Sequence, residues 1–288
     1  MRAFRIAALM TVHNRKDFTI RSLKQIKYAF VVGDLDCRVE VFLTDDGSSD
    51  GTFECVRDRF PEVHIYKTDG SLFWGRGMLH SWEKALEHGK YDAFLWMNDD
   101  VDLLDSAFDE VVSCAEKMQW KAIICGSLCG ERGEFTYGGL DEKRQIVIPD
   151  GEMHEIYWMN GNFVLVPNCV VEKIGIIDGH FHHIGGDYDY GYMAHKNNIK
   201  VYSTRSYIGK CERNPKGNSR GRVIGHSILQ RLRDLYKCPF IDTPRQKWYE
   251  YRKHGKNLLF CVMTMLKMHL LVWLPDGVYL KIVKKHSK

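Results

Sequence analysis

The sequence predicts an α/β fold in which a largely parallel central sheet is followed by a helical C-terminal extension. Three observations predict it. Short apolar runs alternate with amphipathic stretches from the first residues onward. Parallel neighbours need crossover helices, which this alternation supplies. Acidic residues then follow directly on the ends of apolar runs, where sheets of this class bind their ligands.

Taken in order, Phe4 to Val12 reads as a buried strand, Asp17 to Val31 as a helix, and Val39 to Thr44 as a second strand. A helix over Thr52 to Arg59 leads through Pro61 to a strand at Val63 to Lys67. After a Gly-rich loop, Gly70 to Gly77, a helix from Met78 to Glu87 precedes the most apolar strand, Ala93 to Met97. The pattern then becomes mixed: a helix near Leu104 to Met118, a strand near Ala122 to Cys125, and hairpin candidates within Gly126 to Gly151. Strand Phe163 to Val166, a helix over Asp187 to Asn197 and strand Lys200 to Tyr202 close the body, giving an expected catalytic domain over 1–204.

The 288 residues are 44% hydrophobic and 27% charged, ordinary values for a folded globular protein. The net charge of +4 conceals an asymmetry. Residues 205–288 carry 19 Lys and Arg against 5 Asp and Glu, a net of +14, which leaves −10 on residues 1–204. Such an extension is either a solvated basic surface or one drawn to anionic lipid or a phosphorylated acceptor. Within it, Ser206 to Arg222 is polar, basic and Gly/Pro-containing, as a mobile loop over a phosphate-bearing substrate would be. Leu258 to Trp273 is apolar but too short for a membrane span, so a core helix or an interfacial helix is expected.

Nine cysteines without framework spacing point to a reducing compartment, with Cys125 and Cys129 as buried thiols. The apolar start of the chain is too short for a signal peptide and runs straight into Asn14-Arg15-Lys16-Asp17. A cytoplasmic protein, peripheral at the inner face of the membrane if the extension touches lipid, is expected. A nucleic-acid partner is not.

Three acidic clusters carry the chemistry. The first is Thr44-Asp45-Asp46-Gly47-Ser48-Ser49-Asp50-Gly51-Thr52. A calcium loop is excluded because its twelfth position is Arg57. Carboxylates at a strand end suit the N–H and O–H donors of a nucleotide base and ribose, while Asp50 can cap the next helix. The second, Asn98-Asp99-Asp100, follows the most apolar strand. Adjacent carboxylates repel unless a cation lies between them, and a hard divalent ion meets that need; a turn with a capping Asp is the alternative. In the third, Gly185-Gly186-Asp187-Tyr188-Asp189-Tyr190, the acids either complement a helix dipole or include a general base at the edge of a cleft.

As a set, over roughly residues 4 to 204, these clusters resemble the inverting glycosyltransferase family 2, whose members have the GT-A fold, and more closely the bacterial transferases that assemble surface polysaccharides. The resemblance implies that the opening Thr11-Val12-His13-Asn14-Arg15 and the Asp45-Asp46 turn hold the donor nucleotide, with Asp99 beside them. It implies that Asn98-Asp99-Asp100 stands for the family's Asp-x-Asp element, so that Asp100, with Asn98, ligates Mn²⁺ or Mg²⁺ against the diphosphate. Here the first acid has become Asn. It also implies that Asp187, preceded by Gly rather than Glu, is the catalytic base. Trp74, Asn160, Gly161 and Asp189 then line the sugar and acceptor sites. Separately, and from basic composition alone, Arg76 and residues of the 206–222 stretch such as Lys210 and Arg213 are expected to add charge to the diphosphate site.

The reaction so implied is a single displacement with inversion, from a UDP- or dTDP-sugar to a hydroxyl of a glycan or lipid-linked glycan. A nucleotidyltransferase or dinucleotide-binding enzyme is disfavoured because His13-Asn14-Arg15-Lys16, without glycine, follows the first strand. The non-enzymatic rival is an inactive glycan- or nucleotide-binding module, to which Asn98 and Gly186 lend support.

Overall fold

The computed structural model describes residues 4–32, 37–213, 222–238 and 242–286. They form two compact units: Met1–Gly179 with Gly185–Arg213, and His180–Ile184 with Asn214–Lys288.

The first unit runs β1 (Phe4–Val12), α1 (Lys16–Val32), β2 (Cys37–Asp45), α2 (Thr52–Arg59), β3 (His64–Lys67), α3 (Phe73–His88) and β4 (Ala93–Met97). It continues through β5 (Asp102–Leu103), α4 (Ala107–Lys117), β6 (Ile123–Cys129), β7 (Phe135–Tyr137), β8 (Gly139–Leu140), β9 (Trp158–Met159) and β10 (Phe163–Pro167). Helices α5 (Asn168–Ile174) and α6 (Gly186–Lys196) and strand β11 (Val201–Lys210) complete it. The main sheet has the order β3-β2-β1-β4-β10-β6-β11-β5, with β7 pairing β6, and β8 and β9 form a separate ribbon. Strands β3, β2, β1 and β4 are mutually parallel, as are β6 and β11.

Both faces of this sheet are covered, which is why its central strands read as unbroken apolar runs. Along β1, Ile6, Ala8 and Met10 join one core with Leu23 of α1, Val56 of α2 and Val111 of α4. The intervening Ala7 and Leu9 join the opposite core with Met78 and Trp82 of α3 and Tyr190 of α6. Strand β4 divides in the same way, Leu95 and Met97 to one side, Phe94 and Trp96 to the other.

Three departures from the sequence reading bear on the site. Helix α3 begins at Phe73, so most of the expected Gly-rich loop is helical. The glycine at 77 lets that helix approach β1, since a Cβ there would lie 2.1 Å from Thr11 Oγ1. Strand β10 inserts antiparallel between β4 and β6, making the sheet mixed at its centre. Strand β11 continues to Lys210, so Ser206 to Lys210 are sheet rather than mobile loop; its pairing with β6 and β5 consumes backbone groups that a loop would leave to water. Residues 214–221 of that expected loop lie outside the described residues.

The second unit holds α7 (Ile228–Lys237), α8 (Pro244–Lys253), α9 (Leu258–Trp273) and α10 (Asp276–His286), the first three starting from readable signals. Ser227 and Gln230 form a capping box, Thr243 caps α8 ahead of Pro244, and Asn257 caps α9. Arg222, 2% exposed, donates to the carbonyls of Leu271 and Leu274 and pairs with Asp276, closing the end of α9. In the same unit the His180 ring stacks on Tyr249 with centroids 3.8 Å apart. Among the described residues no helix is long and apolar enough to cross a membrane.

Candidate active site

The parallel register sets Val12 beside Asp45 and Leu9 beside Trp96, so the strand ends of β1, β2 and β4 deliver Thr11, Asp45-Asp46 and Asn98-Asp99-Asp100 to one edge of the sheet. This is the carboxyl edge, where ligands of open α/β sheets bind.

At the first strand end the two aspartates do different work. Asp46 is 3% exposed, and its carboxylate accepts from Thr68 Oγ1 at 2.8 Å, Gly70 N at 3.1 Å, Leu72 N at 3.0 Å and Phe73 N at 2.8 Å. It shapes the segment that starts α3, and it holds Phe73 in a left-handed conformation, φ 56°. Asp45 accepts only the amide of Ser48 through Oδ1, at 2.9 Å, and its Oδ2 is buried with no hydrogen-bond partner. Asn14 is spent on the same loop: its amide donates to Ser48 Oγ, and its Oδ1 accepts from the Ser49 amide at 2.7 Å.

The second pair repeats the division in reverse order. Asp99 turns beneath α1, where Thr19 Oγ1 donates to it at 3.3 Å and Ser22 Oγ donates to its carbonyl at 2.9 Å. Burial pushes its carboxyl up to about 6, against the pull of the Arg15 guanidinium and with the Asp100 charge adding to the rise. Arg15 bridges the pair, 3.3 Å from Asp99 Oδ1 and 3.1 Å from Asp100 Oδ2. Asp100 Oδ1 is buried and accepts no hydrogen bond. An orphaned carboxylate oxygen of this kind fits a hard divalent cation, whose charge offsets the cost of its burial. Asn98 Oδ1, by contrast, accepts the Trp74 indole N–H at 2.8 Å, so any ligation by Asn98 uses the second lone pair of that oxygen.

Trp74 begins a chain of contacts joining the remaining motifs. Its ring lies against Gly161 so closely that a Cβ there would sit 2.5 Å from the indole. The Gly161 amide donates to Asp187 Oδ2 at 3.0 Å, and the Tyr188 amide donates to Asp187 Oδ1 at 2.9 Å. The amide of Asn98 donates to the Asn162 carbonyl. Asn160 reaches Tyr188 Oη with its side-chain nitrogen at 3.4 Å and takes the Gly138 amide on its oxygen. Asp189 is 3% exposed within α6.

Of the other expected residues, Arg76 donates to the carbonyl of Gly179 at 2.9 Å. Lys210 pairs with Glu131, and Arg213 donates to the Thr136 and Phe135 carbonyls. Residues that sequence reasoning missed include Thr19, which anchors Asp99, and Cys211, just past β11. The Cys211 thiol is pushed up to about 12 by burial and by the nearby Asp100 charge, and Asn162 Nδ2 contacts its sulfur at 3.9 Å. Only the pairing of β11 with β6 brings Cys211 to this edge, so no local signal could reveal it. A separate group of metal-ligating side chains, Glu40, His64 and His88, has ligand atoms within 4.8 Å of one another. Glu40 there already accepts from Arg5 and Tyr91, and it precedes Asp45 along β2 by about 17 Å of extended chain.

The chain belongs to glycosyl transferase family 2, whose description matches residues 8–182. It therefore carries a family 2 glycosyltransferase domain. Among solved structures it is similar to S. aureus TarS 1–349, with a TM-score of 0.53 and 11% identity over 72% of this chain and 60% of that one. The same fragment of S. aureus TarS in complex with UDP gives a TM-score of 0.55 and 12% identity over 74% and 61%. At these identities the likeness is one of fold, the GT-A arrangement of a curled, mostly parallel sheet with flanking helices. The chain spans about 60% of the TarS fragments it matches. No curated protein matches the chain.

Proposed function

We propose that this protein is an inverting glycosyltransferase that moves a sugar from a nucleotide-diphosphate donor, UDP- or dTDP-linked, to a hydroxyl of a glycan or lipid-linked glycan in surface polysaccharide assembly. The observation that carries the reading is the chain of contacts from Asn98, two residues before Asp100, through Trp74 and Gly161 to Asp187. It supports a metal-diphosphate position and a base position on opposite sides of one aromatic ring. Family membership and the UDP complex of the structural neighbour add support for the donor class.

Asp45 offers its unpartnered oxygen to an N–H or O–H donor of the nucleoside, and Thr11, on the adjoining strand, lines the same edge. Asp100 is the principal ligand for Mn²⁺ or Mg²⁺, which when bound supplies charge compensation for the departing diphosphate. Arg15 sets the orientation of Asp100 and lends positive charge of its own. The Gly161 amide orients Asp187, which takes the acceptor hydroxyl proton as the oxygen attacks the anomeric carbon from the face opposite the nucleotide. Trp74, tied to Asn98, offers the transferred sugar an apolar wall. Catalysis falls to residues 1–204 and surface contact to the basic region 205–288, at the cytoplasmic face of the membrane.

Thermal shift across UDP-, dTDP- and GDP-sugars, with and without Mn²⁺, is the direct test. Metal-dependent stabilisation by one donor class, lost in Asp100→Ala, is the expected result. Donor hydrolysis or transfer should then fall by roughly 10²- to 10⁴-fold in Asp187→Asn, with donor binding retained. Folded protein that binds no donor would sink the proposal, and donor binding without turnover would leave an inactive binding module.

A further inference from the structure

Helix α9 is apolar apart from Thr264, Lys267 and His269, yet it is not a core helix. Cys261 and Val272 face inward and are buried, at 0% and 2% exposure. On the opposite side Leu259, Val262, Met263, Leu266, Leu270 and Trp273 fall within about 100° of one another around the helix axis. They are 39–70% exposed, the two extremes being Val262 and Leu259. No other element carries as many of the exposed large apolar side chains among the described residues. A helix hydrophobic all round is normally enclosed, and an apolar stripe left in water marks an interaction surface.

The charge around the stripe chooses its occupant. Lys267 lies at its edge and Lys256 one residue before the Asn257 cap, and both are exposed. They belong, with the following helix, to a strongly basic stretch of chain. That stretch, residues 205–288, carries a net +14. A two-fold dimer through this face would set like charges against each other, whereas an anionic lipid surface meets both the charge and the apolar stripe. The 16-residue helix is about 24 Å long, short of the roughly 30 Å hydrocarbon core, so it suits lying in the interface and not crossing it. The seat is pre-organised as well. Asn257 Oδ1 accepts the Phe260 amide at one end, while Arg222 and Arg231 hold the last carbonyls and Asp276 at the other.

We propose that α9 is a monotopic membrane anchor, its Leu259–Trp273 stripe immersed at the headgroup boundary of an anionic bilayer with Lys256 and Lys267 on the phosphates. This surface is independent of the transfer chemistry, and its test needs no donor or acceptor. The full chain is co-sedimented with phosphatidylglycerol/phosphatidylcholine vesicles and with phosphatidylcholine vesicles alone, while light scattering reports the oligomeric state without lipid. Wild type should sediment with the anionic vesicles. The triple variant Leu259→Asn, Leu266→Asn, Leu270→Asn should lose about tenfold or more of that partitioning. The double variant Lys256→Glu, Lys267→Glu alters only exposed side chains; it should weaken anionic binding and flatten its salt dependence, which keeps the test decisive if the triple variant fails to fold. The proposal is overturned if wild type stays in the supernatant, if the folded triple variant or the double variant binds as wild type does, or if the stripe instead drives a concentration-dependent dimer without vesicle binding.

Discussion

The two aspartate pairs at the sheet edge look alike in sequence and behave differently in the fold. Asp45-Asp46 and Asp99-Asp100 each follow a buried parallel strand, and in each pair one carboxylate is consumed by the structure while its neighbour keeps a buried oxygen without a partner. Successive side chains leaving a strand point to opposite sides. Asp46 and Asp99 turn towards backbone and helix, whereas Asp45 and Asp100 each keep a buried oxygen without a hydrogen-bond partner, the pair of oxygens that the proposed function assigns to ligands. Adjacent identical residues therefore divide into one that scaffolds the fold and one that keeps an unpartnered oxygen, and the order of the two reverses between the pairs.

The largest effect that tests this division lies at the second pair. Asp100→Asn should lower turnover by roughly 10³-fold, as loss of transition-state charge compensation does, whereas Asp99→Asn should change it by less than about tenfold. Steady-state kinetics on both variants would break the comparison if their losses were equal. At the first pair the difference appears in stability. Asp46→Ala strips several charge-assisted hydrogen bonds from the segment before α3 and should lower unfolding free energy by about 3 kcal/mol. Asp45→Asn should leave the urea midpoint nearly unchanged while weakening nucleotide binding; a stability loss as large as that of Asp46→Ala would erase the distinction.

A smaller effect should follow Gly161→Ala. The new Cβ meets the Trp74 ring at 2.5 Å, so the indole must leave Asn98, at a stability cost of about 1–2 kcal/mol and with quenched or shifted tryptophan fluorescence. The smallest serves as a control away from the edge, at Glu110 of α4 with Arg205 of β11, 2.8 Å apart. Burial would raise the Glu110 carboxyl, but the Arg205 hydrogen bonds and charge outweigh it and hold it below the ordinary glutamate value. A depressed folded value contributes stability above the unfolded value and loses it as pH falls through the folded one. Glu110→Gln should thus cost about 1 kcal/mol near neutral pH, held to the low end because Arg205 is a third exposed, and the gap should close in acid. Urea melts across pH are the check, and a gap that stayed constant into acid would contradict the linkage.

Much of this was legible from local pattern. The strands at Phe4–Val12 and Ala93–Met97, the helix at Leu258–Trp273 and the three acidic clusters could be read because apolar periodicity and turn chemistry are short-range properties. The early start of α3 was not legible, since its glycines look like loop until Thr11 is seen packed against Gly77. Nor was the antiparallel β10, whose direction depends on partners distant in the chain. The chain by itself determined the class of fold, the sheet edge that carries the acids and the basic, apolar character of its last third. Only the tertiary structure decided which aspartate of each pair keeps a free oxygen, that Trp74, Gly161 and Asp187 meet, and that one side of α9 stays uncovered. Those outcomes depend on side-chain direction and long-range pairing, which emerge only when distant segments pack together.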